Sequence, residues 1–175
     1  MDINLIVKVA SKAWSLNILA LMQEGVPGRP AQLLSKTGAG RTAFTQSMHY
    51  LIDLGLMERN PGYGHPLRPE YRLTPKGLEI AAIAAKINQA VPNPAERGLL
   101  RRAWTIPVLV ASQEPKYFSE IKTELVSISD RALSQTLKQL QSQNWIWRKV
   151  DTETRPPRPL YQATNTGSQI SQAVG

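Results

Sequence analysis

The chain has 175 residues, is 42% hydrophobic with four Trp, carries 21 Lys and Arg against 13 Asp and Glu for a net charge of +8, and contains no Cys. That composition excludes disulfides, thiolate metal sites and thiol-based oxidant sensing, and with a pI of 10.0 it favours an anionic partner, nucleic acid or an acidic membrane surface. No run approaches the roughly twenty apolar residues of a membrane span, and the start Met1-Asp2-Ile3-Asn4-Leu5-Ile6-Val7-Lys8 lacks a basic region followed by an apolar one, so a cytoplasmic protein, neither exported nor embedded, is expected.

In chain order, Ser15 is placed to N-cap a helix that follows Trp14 and ends near Gly25. Pro30 to Lys36 predicts a short second helix with Leu33 and Leu34 on its apolar side, and Thr37-Gly38-Ala39-Gly40 a tight turn. The third helix has Phe44, Met48 and Leu51 at i, i+4 and i+7, one buried stripe, leaving Thr42, Thr45, Gln46 and His49 outside with Arg41 nearly the only charge. Leu56-Met57-Glu58-Arg59 alternates as a strand, turn formers run from Asn60 to Pro66, and Glu70 to Leu73 returns. Thr74-Pro75 then starts an Ala- and Ile-rich amphipathic helix over Lys76 to Gln89, broken by Val91-Pro92-Asn93-Pro94 before a second amphipathic stretch, Ala95 to Ala103, with Arg97, Arg101 and Arg102 on its polar side.

The second half of the chain repeats the first. An offset of 90 pairs Lys12-Ala13-Trp14-Ser15-Leu16 with Arg102-Ala103-Trp104-Thr105-Ile106, and Pro66, Arg68, Pro69, Tyr71, Thr74 and Gly77 with Pro156, Arg158, Pro159, Tyr161, Thr164 and Gly167. Between these blocks an offset of 89 pairs Ala43, Phe44, Gln46, Met48, Leu51 and Arg59 with Ala132, Leu133, Gln135, Leu137, Leu140 and Arg148. A one-residue drift is what loops tolerate and helix interiors do not. The repeat therefore predicts a helix from Thr105 to about Glu114 with Pro107 in its first turn, a helix over Phe118 to Leu125, a turn at Val126-Ser127-Ile128-Ser129 with Ser129 as N-cap, and a helix with the buried stripe Leu133, Leu137 and Leu140. A strand at Trp145 to Arg148, turn formers from Asp151 to Pro159, a return strand at Leu160 to Ala163 and a helix from Thr164-Asn165 complete it. Each half carries +4: ten basic and six acidic side chains in residues 1 to 90, eleven and seven in 91 to 175. Three helices and a hairpin, twice over, predict a mainly α protein with small β-hairpin wings (α+β), as two tandem winged-helix units at 1–91 and 92–175. The four Trp are expected as anchors, with Tyr71 and Tyr161 packing the hairpins.

The second half in particular resembles the HxlR-type family of bacterial winged-helix regulators, which lies near the MarR-type regulators. The resemblance is carried by Trp104-Thr105-Ile106-Pro107-Val108-Leu109, Tyr117-Phe118-Ser119-Glu120-Ile121-Lys122, Ile128-Ser129-Asp130-Arg131-Ala132-Leu133-Ser134-Gln135-Thr136-Leu137-Lys138-Gln139-Leu140 and Arg155-Pro156-Pro157-Arg158-Pro159-Leu160-Tyr161-Gln162-Ala163-Thr164. The first half keeps a fainter version in Leu54-Gly55-Leu56 and Tyr71-Arg72-Leu73-Thr74-Pro75-Lys76-Gly77. The resemblance implies a DNA-binding transcriptional regulator, expected to be a repressor. Family members usually carry one unit per chain and dimerise, so two fused units imply a pseudo-dimer within one chain, its flanking helices packing the halves together; a further homodimer stays open. The Cys that many members carry is missing, so their redox sensing does not carry over. Asn144 stands where a Gly is usual, a position a left-handed Asn accommodates.

The residues expected to touch double-stranded DNA are Arg41, Thr42, Thr45, Gln46 and His49 with Arg68 and Arg72 in the first unit, and Ser129, Arg131, Ser134, Gln135 and Lys138 with Arg148, Lys149, Arg155 and Arg158 in the second. A Gln amide pairs bidentately with adenine, Arg131 and Lys138 suit guanine or phosphate, and wing cations suit phosphate or the minor groove. On the opposite reading these are solvated polar faces and locally paired cations. Two recognition helices on one duplex are expected about one turn, roughly 10 bp, apart on unequal half-sites. An enzyme finds little support: there is no H-E-x-x-H and no G-x-x-x-x-G-K-[ST], and the two His, His49 and His65, lack a suitably spaced second metal ligand. No cofactor is expected. The competing readings are a DNA-binding factor of plasmid replication, partition or transfer, and a winged-helix protein-interaction module. Nucleoid or plasmid association follows from either DNA-binding reading.

Overall fold

A computed structural model describes residues 1–62 and 67–175. The chain divides into two compact units, Lys12–Gln89 and a second made of Met1–Ser11 together with Ala90–Gly175. The sequence assigned residues 1–11 to the first unit; in the structure they belong with the second.

The reason lies in helix α1, Ile3–Ala10, whose N-terminus is capped by the Asp2 carboxylate accepting the Asn4 N–H at 3.1 Å. Its apolar side buries Ile6, Val9 and Ala10 against helices of the second unit given below.

The first unit comprises α2 (Ser15–Gln23), α3 (Pro30–Thr37), α4 (Arg41–Asp53), β1 (Met57–Arg59), β2 (Tyr71–Leu73) and α5 (Pro75–Ala90). Pro30 occupies the first turn of α3, where its missing N–H has no intrahelical acceptor to lose. The stripe Phe44, Met48 and Leu51 on α4 is buried with Leu33, Ile18 and Leu19. β1 and β2 pair antiparallel, Met57 with Leu73 through Arg59 with Tyr71, and Tyr71 N–H also donates to Gly28 O at 2.8 Å, extending the hairpin by a third backbone segment.

The second unit repeats the order. After a 3-10 turn at Glu96–Arg101, in place of the longer helical stretch expected over Ala95 to Ala103, come α6 (Thr105–Ala111), β3 (Lys116–Tyr117), α7 (Phe118–Leu125), α8 (Asp130–Ser142), β4 (Ile146–Asp151), β5 (Arg158–Ala163) and α9 (Thr166–Val174). The sheet order is β3-β5-β4, all antiparallel. α1 packs on α6 and α7, and α6 on α9; the Met1 ammonium donates to Val174 O at 3.3 Å. Burying Leu133, Leu137 and Leu140 of α8, each at most 2% exposed, is worth roughly 1.5–3 kcal/mol apiece.

Helices α4 and α8 end alike. Gly55 N–H donates to Ile52 O and Leu56 N–H to Leu51 O, while Asn144 N–H donates to Gln141 O and Trp145 N–H to Leu140 O. With φ of +69° at Gly55 and +57° at Asn144, these are paired Schellman closures, and Asn144 takes the left-handed conformation expected of it. The closure also explains why β4 starts at Ile146 rather than Trp145, whose N–H is committed to the helix.

Two helix-start expectations fail. Ser15 and Thr105 are the first helical residues rather than N-caps; Trp14 and Trp104 hold the cap positions and make no side-chain capping bond to the helix. Both hydroxyl residues are buried at the helix root, and Ser15 Oγ has no hydrogen-bond partner among the described residues. α6 also stops at Ala111, short of Glu114, where Ser112 O accepts Ala163 N–H from β5. Of the Trp, Trp145 is fully buried whereas Trp14, Trp104 and Trp147 are half-buried. Tyr161 is buried beneath its hairpin and Tyr71 half-buried. Among the described residues no single helix is long and apolar enough to cross a membrane.

Candidate nucleic-acid interface

The buried stripes of α4 and α8 decide which side chains face outward. On α4, Arg41, Thr42, Thr45, Gln46 and His49 are all exposed. On α8, Arg131, Gln135 and Lys138 are exposed and Ser134 is half-buried. Ser129, itself exposed, accepts the Ala132 N–H at 3.1 Å, so its side chain caps α8 as expected. Asp130 pairs with Lys122 of α7 at 2.5 Å, which offsets the one carboxylate at the start of the outward face. Arg131 and Lys138 have no ion pair among the described residues. Each unit thus presents a helix with one apolar and one polar, cation-bearing side, and the faces differ in charge.

The hairpins sort the wing cations. In the first unit Arg72 lies opposite Glu58 in the β1–β2 register and its Nε donates to Glu58 Oε1 at 2.8 Å. Arg68 is exposed beside β2. The expected turn residues Tyr63, Gly64, His65 and Pro66 lie outside the described residues, so the metal reading of His65 falls there too. Among the described residues no group of three or more His, Asp or Glu is placed to hold a metal ion.

The second hairpin is longer, six residues in each strand against three in the first. Arg148 and Lys149 on β4 and Arg155 beyond it are exposed. Arg158 is committed differently: its guanidinium lies 3.9 Å over the Tyr117 ring, and it faces Asp151 at the last register position of the hairpin. The Tyr117 hydroxyl donates to Asp151 Oδ2 at 2.5 Å. That bond holds the Tyr117 phenol above its ordinary pKa and the Asp151 carboxyl below its own, with the Arg158 charge adding to the second shift and opposing the first. Arg158 therefore helps lock the hairpin at the end where its loop begins. Tyr117 and Asp151, absent from the sequence-derived site, are its partners, and the pairing of β5 with both β3 and β4 brings them together.

The turns ahead of the reading helices also differ. α3 ends on Gly38, left-handed at φ +68°. α7 ends on Val126 at φ +48°, ψ −59°, with Ser127 N–H closing back on Leu125 O. A β-branched residue in this region costs about 1–3 kcal/mol. Val126 is 79% exposed, while Leu125 and Ile128 on either side are buried.

A family model described as HxlR-like helix-turn-helix matches the sequence twice, over residues 9–97 and 99–175. An uncharacterized HTH-type transcriptional regulator of Mycobacterium tuberculosis (strain CDC 1551 / Oshkosh) is 33% identical over 82 residues, which are 47% of this chain and 51% of that protein. The chain thus spans about half the length of this curated relative. Among solved structures, a transcriptional regulator of the MarR family from Porphyromonas gingivalis W83 aligns with a TM-score of 0.37 at 22% identity, over 49% of this chain and 76% of the other.

Proposed function

Because the chain belongs to the HxlR-like helix-turn-helix family, we propose that it is a sequence-specific double-stranded-DNA-binding regulator of transcription, acting as a repressor, in which α4 and α8 each read a major groove. The observation that carries this reading is the outward face of α8: Arg131, Gln135 and Lys138 project from a helix whose other side is anchored by three buried leucines. A positioned helix with uncommitted hydrogen-bonding side chains is what base-edge readout requires, since phosphate contacts alone carry no sequence information. The two units serve as two half-site readers in one chain, a built-in counterpart of a dimer. Their half-sites are unequal, because α8 offers two cations where α4 offers Arg41 alone.

Within the wings, Arg148, Lys149 and Arg155 supply the phosphate contacts of the second unit and Arg68 those of the first. Arg72 and Arg158 are held by their neighbours and support the hairpins instead. Repression follows if the site so occupied overlaps a promoter, which a reporter carrying the selected site tests directly.

Selection of bound DNA from a random pool with the full chain is expected to return two unlike half-sites spaced by about 10 bp or a multiple of it. Arg131→Ala is expected to lower specific affinity roughly 5- to 100-fold and to relax preference at one position. Weak, salt-insensitive binding to every duplex would overturn the reading.

A further inference from the structure

Val126 occupies the C-cap of the helix that precedes the reading helix of the second unit. In the first unit the same C-cap position is filled by Gly38, which adopts positive φ without a Cβ to collide. The second unit instead holds a β-branched residue at φ +48° in a three-residue turn closed from Ser127 N–H to Leu125 O, a conformation that is rare and strained. Among the described residues little packing returns that cost, because the side chain is 79% exposed. Buried Leu125 and Ile128 pin the turn on both sides, so the isopropyl group is fixed outward, just ahead of Ser129 and Arg131, which are exposed at the start of α8.

We propose that Val126 is a DNA-contacting residue, an apolar prong that the strained turn holds against a carbon surface of the duplex, a thymine methyl or a deoxyribose edge, where α8 enters the groove. This rests on the reading of α8 as a recognition helix. Apolar contact with the thymine methyl is one of the ways a protein reads the major groove, and the sugar edge offers the same chemistry without sequence content. The prong is confined to the second unit, so it adds to the difference between the half-sites.

The test uses the full chain and the DNA site it selects. Val126→Asn removes the methyls and β-branching while tolerating positive φ, and Val126→Gly does so without adding a polar group. Both variants are expected to melt at or above the wild-type temperature while binding the site roughly 3- to 10-fold more weakly with an unchanged salt slope. Replacing thymine by deoxyuridine through the half-site assigns the contact: a loss seen in wild type and absent in Val126→Gly marks the methyl, and equal binding in both marks the sugar. Unchanged affinity in both variants overturns the proposal, as does weakened binding accompanied by a lower melting temperature, which would make Val126 a structural residue. Arg131→Ala separates the two levels: if it weakens binding and the Val126 variants do not, only the prong fails, and if neither does, the reading of α8 fails with it.

Discussion

Gly77 and Gly167 stand at equivalent positions of the repeat, in the first turns of α5 and α9. A Cβ at Gly77 would lie 1.9 Å from Leu56 O, and one at Gly167 would lie 2.0 Å from Trp145 O. Those carbonyls are the ones that accept the Thr74 and Thr164 N–H groups, so helix and strand meet backbone to backbone. Gly167→Ala is expected to destabilise the second unit by roughly 1–3 kcal/mol in chemical denaturation. Gly98→Ala, where the nearest side-chain atom is an ordinary 3.6 Å away, should stay within about 0.5 kcal/mol. Both glycines stand out when the chain is compared with itself, because a contact that tolerates no side chain leaves the same residue in both copies. The triad Tyr117, Asp151 and Arg158 leaves no such mark, since it depends on where a hairpin's register ends. Its titration has a definite sign. Asp151, held below its ordinary pKa, contributes stability above the usual carboxylate range and loses it as pH falls through its lowered value; Tyr117, held above its ordinary value, contributes below about 10 and loses it as pH rises beyond. In a spectrophotometric titration Asp151→Asn should bring the Tyr117 phenol down toward 10; an unmoved titration would show that the bond does not hold the wing.

At the scale of elements, periodicity makes α3, α4, α7 and α8 legible, because burying one side of a helix forces apolar residues to recur at three and four. Alternation and turn formers do the same for the hairpins. Two-residue β3 carries no period at all, and the early end of α6 arises from the Ser112 carbonyl bonding to Ala163, a long-range event. The wings, alike in sequence, differ in their electrostatics once strands are paired. Arg148→Ala and Lys149→Ala should each reduce the slope of log affinity against log salt by about 1. Arg72→Ala, with its charge already opposed by Glu58, should change that slope by much less, and an equal change for all three would refute the division of the cations. Of the sixteen residues read from the sequence as DNA contacts, those on α4 and α8 lie on the outward faces that carry them. Arg72 and Arg158 each have a partner on a neighbouring strand, Glu58 for the first and the Tyr117 ring for the second, and a linear reading misses such partners.

For the whole molecule, comparison of the chain with itself recovers the order of two similar units but not which segments pack together. Helix α1 has no counterpart in the repeat blocks, and its place with the second unit rests on burial of Ile6, Val9 and Ala10. Deleting residues 1–11 is expected to cost the second unit roughly 3–6 kcal/mol, from Ile6 and Val9 alone, with amide-exchange protection falling in α6 and α7 and holding in α4 and β1. Loss of protection confined to the first unit would contradict the assignment.

That placement also imposes an order in time. Ile106 lies a hundred positions beyond Ile6, so on the ribosome α1 emerges roughly 5–20 s before the helices that cover its apolar side. Throughout that interval the Lys12–Gln89 unit is being made and can fold, while α1 waits with its hydrophobic residues uncovered. A nascent chain that stalls between the units carries an orphaned amphipathic helix, and the second unit is closed by a segment translated well before the rest of it.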